Sequence, residues 1–307
     1  MSLRQVQQHS NLRLIKLESR IEREILLNYT NALRAVNKVM RTMYAKYAVD
    51  GVLSHAEMTR YNRAVSMRGQ LAKALQPYTA RNVELVRTLS ESQYEASFYR
   101  TAWSLDNEVG TALRWGQIPT RQVRASVANK YMLGTLKALP AHERLRLQRA
   151  VSDGLIRGRS MPAMMRDIRG VLGVNSRNAM RIARTEAHRA REIGHLAASG
   201  EAAEQGVDMW RVWDAALDDR TRSSHAELDG KRVRPGEPFV GTVEYPGGFG
   251  IASDDINCRC TVTDEVEGFE PTNRRVEGEV QPYRTFGTWA REHGITGNRY
   301  GQKYNFI

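Results

Sequence analysis

Three side chains in the second half of the sequence have the chemistry of metal ligands. Both cysteines of the 307-residue chain lie in one tripeptide, Cys258-Arg259-Cys260, and His225 stands earlier in the same half. Thiolate and imidazole groups are ligands that zinc prefers, and a closed structural zinc site has four ligands. The pattern supplies three of them, so a structural zinc site is one prediction. The candidate fourth ligands are the carboxylates Asp218, Asp219 and Asp255.

The same residues have an alternative interpretation that needs no metal. A single C-x-C pattern is a weak signal, and two cysteines one residue apart do not form an ordinary disulfide. Buried thiols also behave as small apolar side chains. On a β-strand, Cys258 and Cys260 would share one face with Val262, because successive side chains alternate between faces. The alternative prediction is a buried thiol pair beside a hydrogen-bonded histidine.

Glu186 is a second candidate, because it falls within the apolar face of a predicted helix over 175–200. Burying a carboxylate is costly unless a cation or hydrogen-bond donors accompany it. Arg189, or an arginine from a neighbouring helix, can supply the charge. We interpret Arg184, Thr185 and Glu186 as a buried polar cluster that fixes this helix against the following domain. A general-base role for Glu186 would need a second catalytic group, and none stands beside it.

The elements that position these residues change in character near residue 205. Apolar residues recur at steps of three and four from Leu14 to Met43, which predicts a helix over roughly 12–49. Gly51 ends it, and Ser54 caps the next helix with Glu57 in a capping box. Further helices are predicted over 54–76, 80–98, 120–138, 141–156, 160–171 and 175–200. Three of them have a proline at the start, namely Pro119, Pro140 and Pro162.

After residue 205 the pattern is that of short strands and turns. Alternating residues from Met209 to Trp213 predict a strand, "SHAELDG" predicts a short helix closed by Gly230, and 231–233 predict another strand. The fold class is therefore a mainly α N-terminal helical region followed by a small α+β C-terminal domain. We divide the chain into a long-helix region 1–110, a helical part 111–205, a small α+β part 206–268 and a tail 269–307. The first long helix either packs within its own bundle or forms half of an oligomeric coil.

The charge is distributed unevenly along the chain. Residues 1–200 carry 33 Lys and Arg against 15 Asp and Glu, and residues 201–307 carry 13 against 19. A basic half favours a nucleic-acid partner, because phosphates neutralised by Lys and Arg release counterions. The alternative is a solvated, arginine-rich helical surface. The candidate DNA-contacting residues are Arg181, Arg184 and Arg189. No run of 18 apolar residues occurs, so no membrane partner is expected, and the N-terminus lacks an apolar signal core, which predicts a cytoplasmic start.

The order and spacing of several short motifs resemble the phage head morphogenesis family, also called Mu F-like proteins. The resemblance runs from about Leu113 to Val262, roughly half of the chain, and its motifs are specific as a set. They are Ala183 to Glu186, Trp213, Asp219-Arg220-Thr221, His225, Leu228-Asp229-Gly230 and Asn257-Cys258-Arg259-Cys260. Many family members are expected to carry a cysteine at the position of Arg222 and a histidine near Asp255, which would complete a metal tetrad. This departure favours a structural role, in which Arg220 or Arg259 pairs with Asp219 or Asp255.

The resemblance implies a minor head protein of a tailed phage, without enzymatic activity. It implies partners in the portal protein, the major capsid or scaffolding protein, and packaged double-stranded DNA. It places the protein inside the phage head, and in the host cytoplasm during assembly. The residues implied as a structural cluster are Arg184, Glu186, Trp213, Asp219, Arg220, His225, Asp255, Cys258 and Cys260.

The sequence is also compatible with two other classes of function. Glu277-Gly278-Glu279 has the E-x-E form of ADP-ribosyltransferases, which would make the chain a phage-borne effector enzyme. A stand-alone, non-specific DNA-binding protein would use the same arginine-rich helices. The aromatic- and glycine-rich tail either packs on its own domain or docks on the portal or shell, and it predicts one short helix ended by Gly294.

Overall fold

The computed structural model describes residues 3–109, 113–128, 130–216, 220–267, 274–276, 279–281 and 291–295. The helical region contains α1 (Leu3–Tyr47), α2 (His55–Thr59), a 3₁₀ turn (Arg60–Asn62), α3 (Arg63–Val109), α4 (Thr120–Val127), α5 (Lys130–Ile156) and α6 (Met161–Glu204). Strands β1 (Met209–Asp214), β2 (Arg232–Val233) and β3 (Thr261–Val266) follow, with short helices α7 (Ser223–Ala226) and α8 (Ala252–Asp255). Strands β4 (Arg274–Val276) and β5 (Glu279–Gln281) form a separate pair. The predicted fold class is confirmed.

Several helices are longer than the apolar pattern predicts, whereas the prediction of a single helix over 120–138 is wrong, because α4 ends at Val127 and α5 begins at Lys130. Helix α3 joins two predicted helices and contains Pro77, and α6 joins the segments predicted over 160–171 and 175–200. The prediction that Pro140 starts a helix is wrong, because Pro140 lies inside α5. Packing against neighbours offsets the one hydrogen bond that an internal proline removes. Within the described residues, no helix combines the length and the apolar character that crossing a membrane requires.

Helix α1 packs within its own chain. Its buried residues recur at three- and four-residue steps, and they include Ile25, Tyr29, Val36 and Met40. This arrangement favours the intramolecular alternative for the long helix.

The turn after α1 follows the prediction only in part. Helix α1 ends at Tyr47, and Gly51, with a φ of +76°, lies in the turn between Val49 and Val52. The Ser54 hydroxyl accepts a hydrogen bond from the Glu57 backbone N–H at 3.1 Å, whereas the Glu57 carboxylate pairs with two arginines.

The three-stranded sheet has the order β2-β1-β3, and both pairings are antiparallel. The strand predicted from Met209 to Trp213 is confirmed as β1, with Trp213 opposite Val262 on β3. The prediction that Cys258 and Cys260 lie on a strand is wrong, since β3 begins at Thr261. Asn257, immediately before Cys258, has a φ of +57°, which an extended strand does not allow.

The chain divides into two compact units, and each is built from segments distant in the sequence. Unit 1 comprises 1–19, 88–129 and 183–307, whereas unit 2 comprises 20–87 and 130–182. The four regions predicted from the sequence are contiguous instead. Unit 1 contains two apolar clusters, one around Phe98 and Trp115 and the other around Trp213 and Phe239.

Unit 2 has an apolar interior that encloses one carboxylate, Glu143 of α5. The Tyr29 hydroxyl donates a hydrogen bond to it, and the Thr79 hydroxyl donates another at 2.7 Å. Burial raises the pKa of Glu143, and the two hydroxyl donors act in the opposite direction. This contact links α1, α3 and α5 inside unit 2.

Candidate metal centre and buried polar network

The backbone around two short helices brings His225, Cys258 and Cys260 together. His225 lies on α7, and both cysteines lie in the segment between α8 and β3. The left-handed conformation of Asn257 turns the chain back at the end of α8, and the Cys258 N–H donates to the Asp255 carbonyl at 3.2 Å. All three side chains are buried. The pairing of β1 with β3, which places Asp214 opposite Thr261, brings the segment after β1 beside the segment before β3, and the turn at Asn257 completes the approach.

The distances within this group suit a zinc ion. The Nδ1 atom of His225 lies 3.6 Å from Cys258 Sγ and 3.5 Å from Cys260 Sγ. Tetrahedral bonds of the lengths typical for Zn–S and Zn–N place nitrogen and sulfur about 3.5 Å apart. Among the described residues, these three form the group of close potential ligands, with ligand atoms within 4.8 Å of one another. The same spacing also suits thiols hydrogen-bonded to the imidazole, so both interpretations of the motif share this geometry.

An aromatic shell surrounds the group. The His225 ring stacks on Phe249 at 4.7 Å between centroids, and Trp213 packs edge-on against both rings. Phe239 contacts Trp213 from another side at 5.2 Å. Such a shell excludes water and holds the imidazole in one orientation. It suits a structural site more than a catalytic one, which needs access for substrate.

The fourth ligand predicted at Asp255 is not available. Its two carboxylate oxygens accept the backbone N–H groups of Phe249 and Gly250, each at 2.9 Å. Arg222, at the position of the expected family cysteine, donates to the Ile256 carbonyl at 2.8 Å. Asp254 faces the other ring nitrogen of His225, with 3.8 Å between Nε2 and Oδ1. Asp218 and Asp219, the other predicted ligands, lie outside the described residues.

The pKa values of the two thiols are shifted in opposite directions. The hydrogen bond from Cys258 lowers the pKa of Cys260, burial opposes this, and the hydrogen bond with His225 lowers it further. The same thiol–thiol contact, together with burial, raises the pKa of Cys258. A thiolate at Cys260 is the form that binds a metal ion.

A buried ion-pair cluster joins α6 to the segment before α8. The Nη1 atom of Arg189 donates to both carboxylate oxygens of Glu186, each at 2.7 Å. The Nη2 atom of Arg189 lies 3.4 Å from Asp255 Oδ2. Its Nε also donates to the Gly247 carbonyl at 2.9 Å. Burial raises the pKa of Glu186, and the charge of Arg189 opposes this. The predicted cluster is corrected in one respect: Arg184 is exposed, and Arg189 supplies the buried guanidinium.

This finding also corrects the predicted DNA contact. Arg181 and Arg184 are exposed on α6, but Arg189 is buried with its guanidinium bound inside unit 1. Arg220 is exposed in a turn, and its predicted partner Asp219 lies outside the described residues.

A second buried network was missed from the sequence. Asp264 of β3 lies within ion-pair distance of His195 Nε2 at 3.1 Å and accepts a hydrogen bond from the Ser199 hydroxyl at 3.0 Å. Gln7 of α1 donates to the same carboxylate at 2.9 Å and accepts the Asp264 N–H at 2.7 Å. Burial acts to raise the pKa of Asp264, but the charge of His195 and the hydrogen bonds together outweigh it, so the pKa is lowered. The i, i+4 spacing of His195 and Ser199 was the only local signal.

His188 and Glu192, whose i, i+4 spacing on α6 is typical of a surface salt contact, are both buried. The Glu192 carboxylate accepts the Val262 N–H at 3.1 Å, and burial raises its pKa to about 7. Burial and the nearby Arg191 and Arg189 lower the pKa of His188 well below its usual value. Glu192 therefore links α6 to β3 through a backbone hydrogen bond.

Most of the tail lies outside the described residues, including Glu277, Gly278, Phe286 and Trp289. Within it, Gly294 has a φ of +69°, as expected for the end of the predicted short helix. Ile295 is buried in the cluster around Phe98. At this point the tail contacts its own unit, and the docking alternative is not tested.

Comparison with known proteins identifies relatives of this sequence. Residues 146–263, which contain the metal-ligand group and both buried networks except Gln7 and Asp264, match the family described as Phage Mu protein F like protein. The chain is 28% identical over 255 residues to "Minor head protein GP7" of Bacillus phage SPP1, covering 80% of this chain and 82% of that protein. No solved structure matches.

Two further relatives match less of their own length. One is "NAD(+)--arginine ADP-ribosyltransferase EFV" of Enterococcus faecalis, 28% identical over 83% of this chain and 54% of that protein. The other is an uncharacterized protein of Haemophilus influenzae, 30% identical over 46% of this chain and 29% of that protein. The chain therefore spans about half of the enzyme-named relative.

Proposed function

Because residues 146–263 carry a Phage Mu protein F like sequence, as the motifs in the sequence predicted, we propose that the chain is a minor head protein of a tailed phage. One observation carries the proposal: the match to the minor head protein of phage SPP1 covers about four fifths of both chains, 80% of one and 82% of the other. A match of this extent includes the helical regions before residue 146 as well as the family segment. The proposed role is structural and not enzymatic.

In this role the protein associates with the portal in the procapsid and contacts the shell or scaffolding protein. It also contacts packaged double-stranded DNA inside the head, which aids assembly or delivery of the genome. Before assembly it resides in the host cytoplasm. The net charge of +12 supports the contact with DNA, because a basic protein gains binding free energy from counterion release.

The C-terminal part of the family segment serves as a rigid binding surface in this proposal. The ion pairs of Arg189, the aromatic shell and the His225 group hold α7, α8 and β3 in fixed positions relative to α6. Zinc bound by His225, Cys258 and Cys260 would cross-link α7 to the segment before β3. We propose that zinc, where bound, is structural, and Asp218 and Asp219 remain the candidates for its fourth ligand.

The test is co-purification with the portal protein encoded by the same phage. The full chain is incubated with tagged portal at low and at high salt, and purified heads are probed for the protein. The expected result is that the chain is retained on the portal at low salt and is detected in purified heads. A chain that neither binds the portal at low salt nor occurs in purified heads would overturn the proposal. A portal from an unrelated phage is the matched control.

A second candidate function comes from the enzyme-named relative. The match covers most of this chain, which favours shared ancestry of this segment, but nearly half of that protein lies outside the match. We expect no transfer of ADP-ribose from labelled NAD to arginine by the purified full chain. Turnover above the level of a heat-denatured sample would support the enzyme instead.

A further inference from the structure

The turn between α5 and α6 forms a cleft in unit 2 that is lined by four arginines. We call this site the arginine cleft and define it by Arg146 on α5, Arg157 and Arg159 in the turn, and Arg166 on α6. Its volume is about 520 Å³. Arg146, Arg157 and Arg166 are exposed, and Arg159 is half-buried. The floor is made of small and apolar residues, so side chains leave room for a ligand.

The backbone of the turn is fixed by hydrogen bonds. Gly158 has a φ of +57°, the Gly158 N–H donates to Leu155 at 3.2 Å, and the Arg159 N–H donates to Gly154 at 3.0 Å. This is the Schellman pattern of helix ends. The Tyr44 hydroxyl holds the Arg159 carbonyl at 2.7 Å. Arg157 and Arg159 therefore project from a defined turn, which reduces the entropy lost when they bind a ligand.

The charges at the arginine cleft are only partly balanced. Two carboxylates, Asp153 and Asp167, line the same cleft, and both are exposed. The Arg159 Nε lies 3.7 Å from Asp167 Oδ2, which exceeds hydrogen-bond length. Within the described residues, this Nε is buried and has no hydrogen-bond partner. Four arginines against two aspartates leave the cleft with excess positive charge.

The imbalance extends over the whole of unit 2. By sequence, this unit has 23 Lys and Arg against 8 Asp and Glu, a balance of +15. Unit 1 has 23 against 26, a balance of −3, so unit 2 accounts for the positive charge of the chain. A field of this size attracts a long polyanion more strongly than a short acidic segment, because the polyanion engages charges beyond the cleft.

We propose that the arginine cleft binds the phosphate backbone of double-stranded DNA without reading its sequence. The planar guanidinium group binds phosphate oxygens through two parallel hydrogen bonds, and it keeps its charge at any pH that the fold survives. Contacts of this kind position a duplex but do not distinguish bases. The inference rests on the DNA contact in the proposed function and assigns that contact to unit 2. It replaces the predicted contact at Arg189.

The experiment measures binding of a labelled 30-base-pair duplex of random sequence to the full chain by fluorescence anisotropy across a salt series. The test variant is Arg157→Gln with Arg166→Gln. The control is Arg23→Gln with Arg41→Gln, which removes the same charge from exposed positions of unit 2 outside the cleft. Loss of two phosphate contacts should lower the slope of log K against log salt by about 1.8. The control should lower it by less than half as much.

The outcomes separate the cleft from the wider proposal. If the wild-type chain fails to bind the duplex at low salt, the DNA contact in the proposed function is wrong. If both variants lose affinity equally, DNA contact stands and its assignment to the arginine cleft is overturned. If the test variant loses binding to poly-glutamate but keeps binding to DNA, the cleft accepts an acidic protein, which also overturns the proposal. The single variants R157Q and R166Q, with circular dichroism as a folding check, keep the test valid if the double variant unfolds.

Discussion

Replacing Arg189 with leucine should destabilise unit 1 strongly. The substitution removes the cation that is shared by two buried carboxylates, because Arg189 contacts Glu186 at 2.7 Å and Asp255 at 3.4 Å. Asp255 keeps its two backbone N–H donors, but Glu186 loses both of its contacts with the Arg189 guanidinium. Removing one partner of a buried pair costs about 3–5 kcal/mol. For a domain of this size the midpoint of thermal unfolding would fall by about 2–4 °C per kcal/mol.

The assay is urea denaturation followed by tryptophan fluorescence. All five tryptophans, at positions 103, 115, 210, 213 and 289, lie in the segments that form unit 1, so the signal reports on that unit. Leucine at Arg184, which is exposed on the same helix, is the matched control and should change the free energy of unfolding by less than about 0.5 kcal/mol.

A double variant separates the loss of the pair from the loss of its partner. Glu186→Leu combined with Arg189→Leu removes the stranded carboxylate together with the cation, so it should recover more than half of the loss seen for Arg189→Leu alone. An Arg189→Leu protein within about 1 kcal/mol of the wild type would refute the assignment of a buried ion pair. A double variant that is less stable than Arg189→Leu would show that Glu186 is held by other groups.

Three further outcomes follow from the buried groups. His225→Ala should lower the stability of unit 1 and abolish any zinc measured in the purified protein by mass spectrometry; wild-type protein that binds no zinc after reconstitution would remove the metal interpretation. Folding raises the pKa of Glu192 to about 7, so the folded protein binds this proton more tightly than the unfolded chain. The stability of the wild type should therefore fall relative to that of Glu192→Gln as the pH rises from about 4.5 to 7, and the difference should stay constant above pH 7. Parallel stability curves for the two proteins would contradict this. Tyr29→Phe removes one of the two hydroxyl donors that the described residues give Glu143, and it should cost about 1–3 kcal/mol by circular dichroism. An unchanged transition would mean that the hydroxyl contributes nothing.

Local patterns predicted the elements well, but they missed how the elements are joined. The apolar spacing of α1, the Ser54 cap and strand β1 follow from interactions within a few residues. Pro140 misled because the tertiary contacts that support α5 through a proline are not visible in a local window. The sequence also indicated that His225, Cys258 and Cys260 belong together, although it placed the thiols on a strand that begins only at Thr261.

The buried networks could be predicted only in part. Glu186 was predicted to need a partner because it is a charged residue within an apolar helix face. Arg189 could be predicted as that partner because it lies on the same helix. Asp264 and Gln7 gave no signal, since they are 257 residues apart and pair only in the folded protein. Burial of His188 and Glu192 likewise depends on contacts from β3 and its flanking segments, which helix periodicity does not encode. Single-sequence patterns therefore indicate candidates, while the partners require the structure.

The pairing of Gln7 with Asp264 has a consequence for folding during synthesis. Unit 1 needs residues 1–19 and residues beyond 183, so the first turns of α1 leave the ribosome long before β3 exists. Unit 2 ends at residue 182 and can complete its own contacts earlier. The N-terminal segment can contact α3 first, since Gln93 donates to the Leu14 carbonyl at 2.8 Å, but its pairing with Asp264 must wait, and contacts of such high sequence separation form slowly. Chains shortened before residue 261 should leave Gln7 without its partner on β3, even though the N-terminal residues themselves are unaltered.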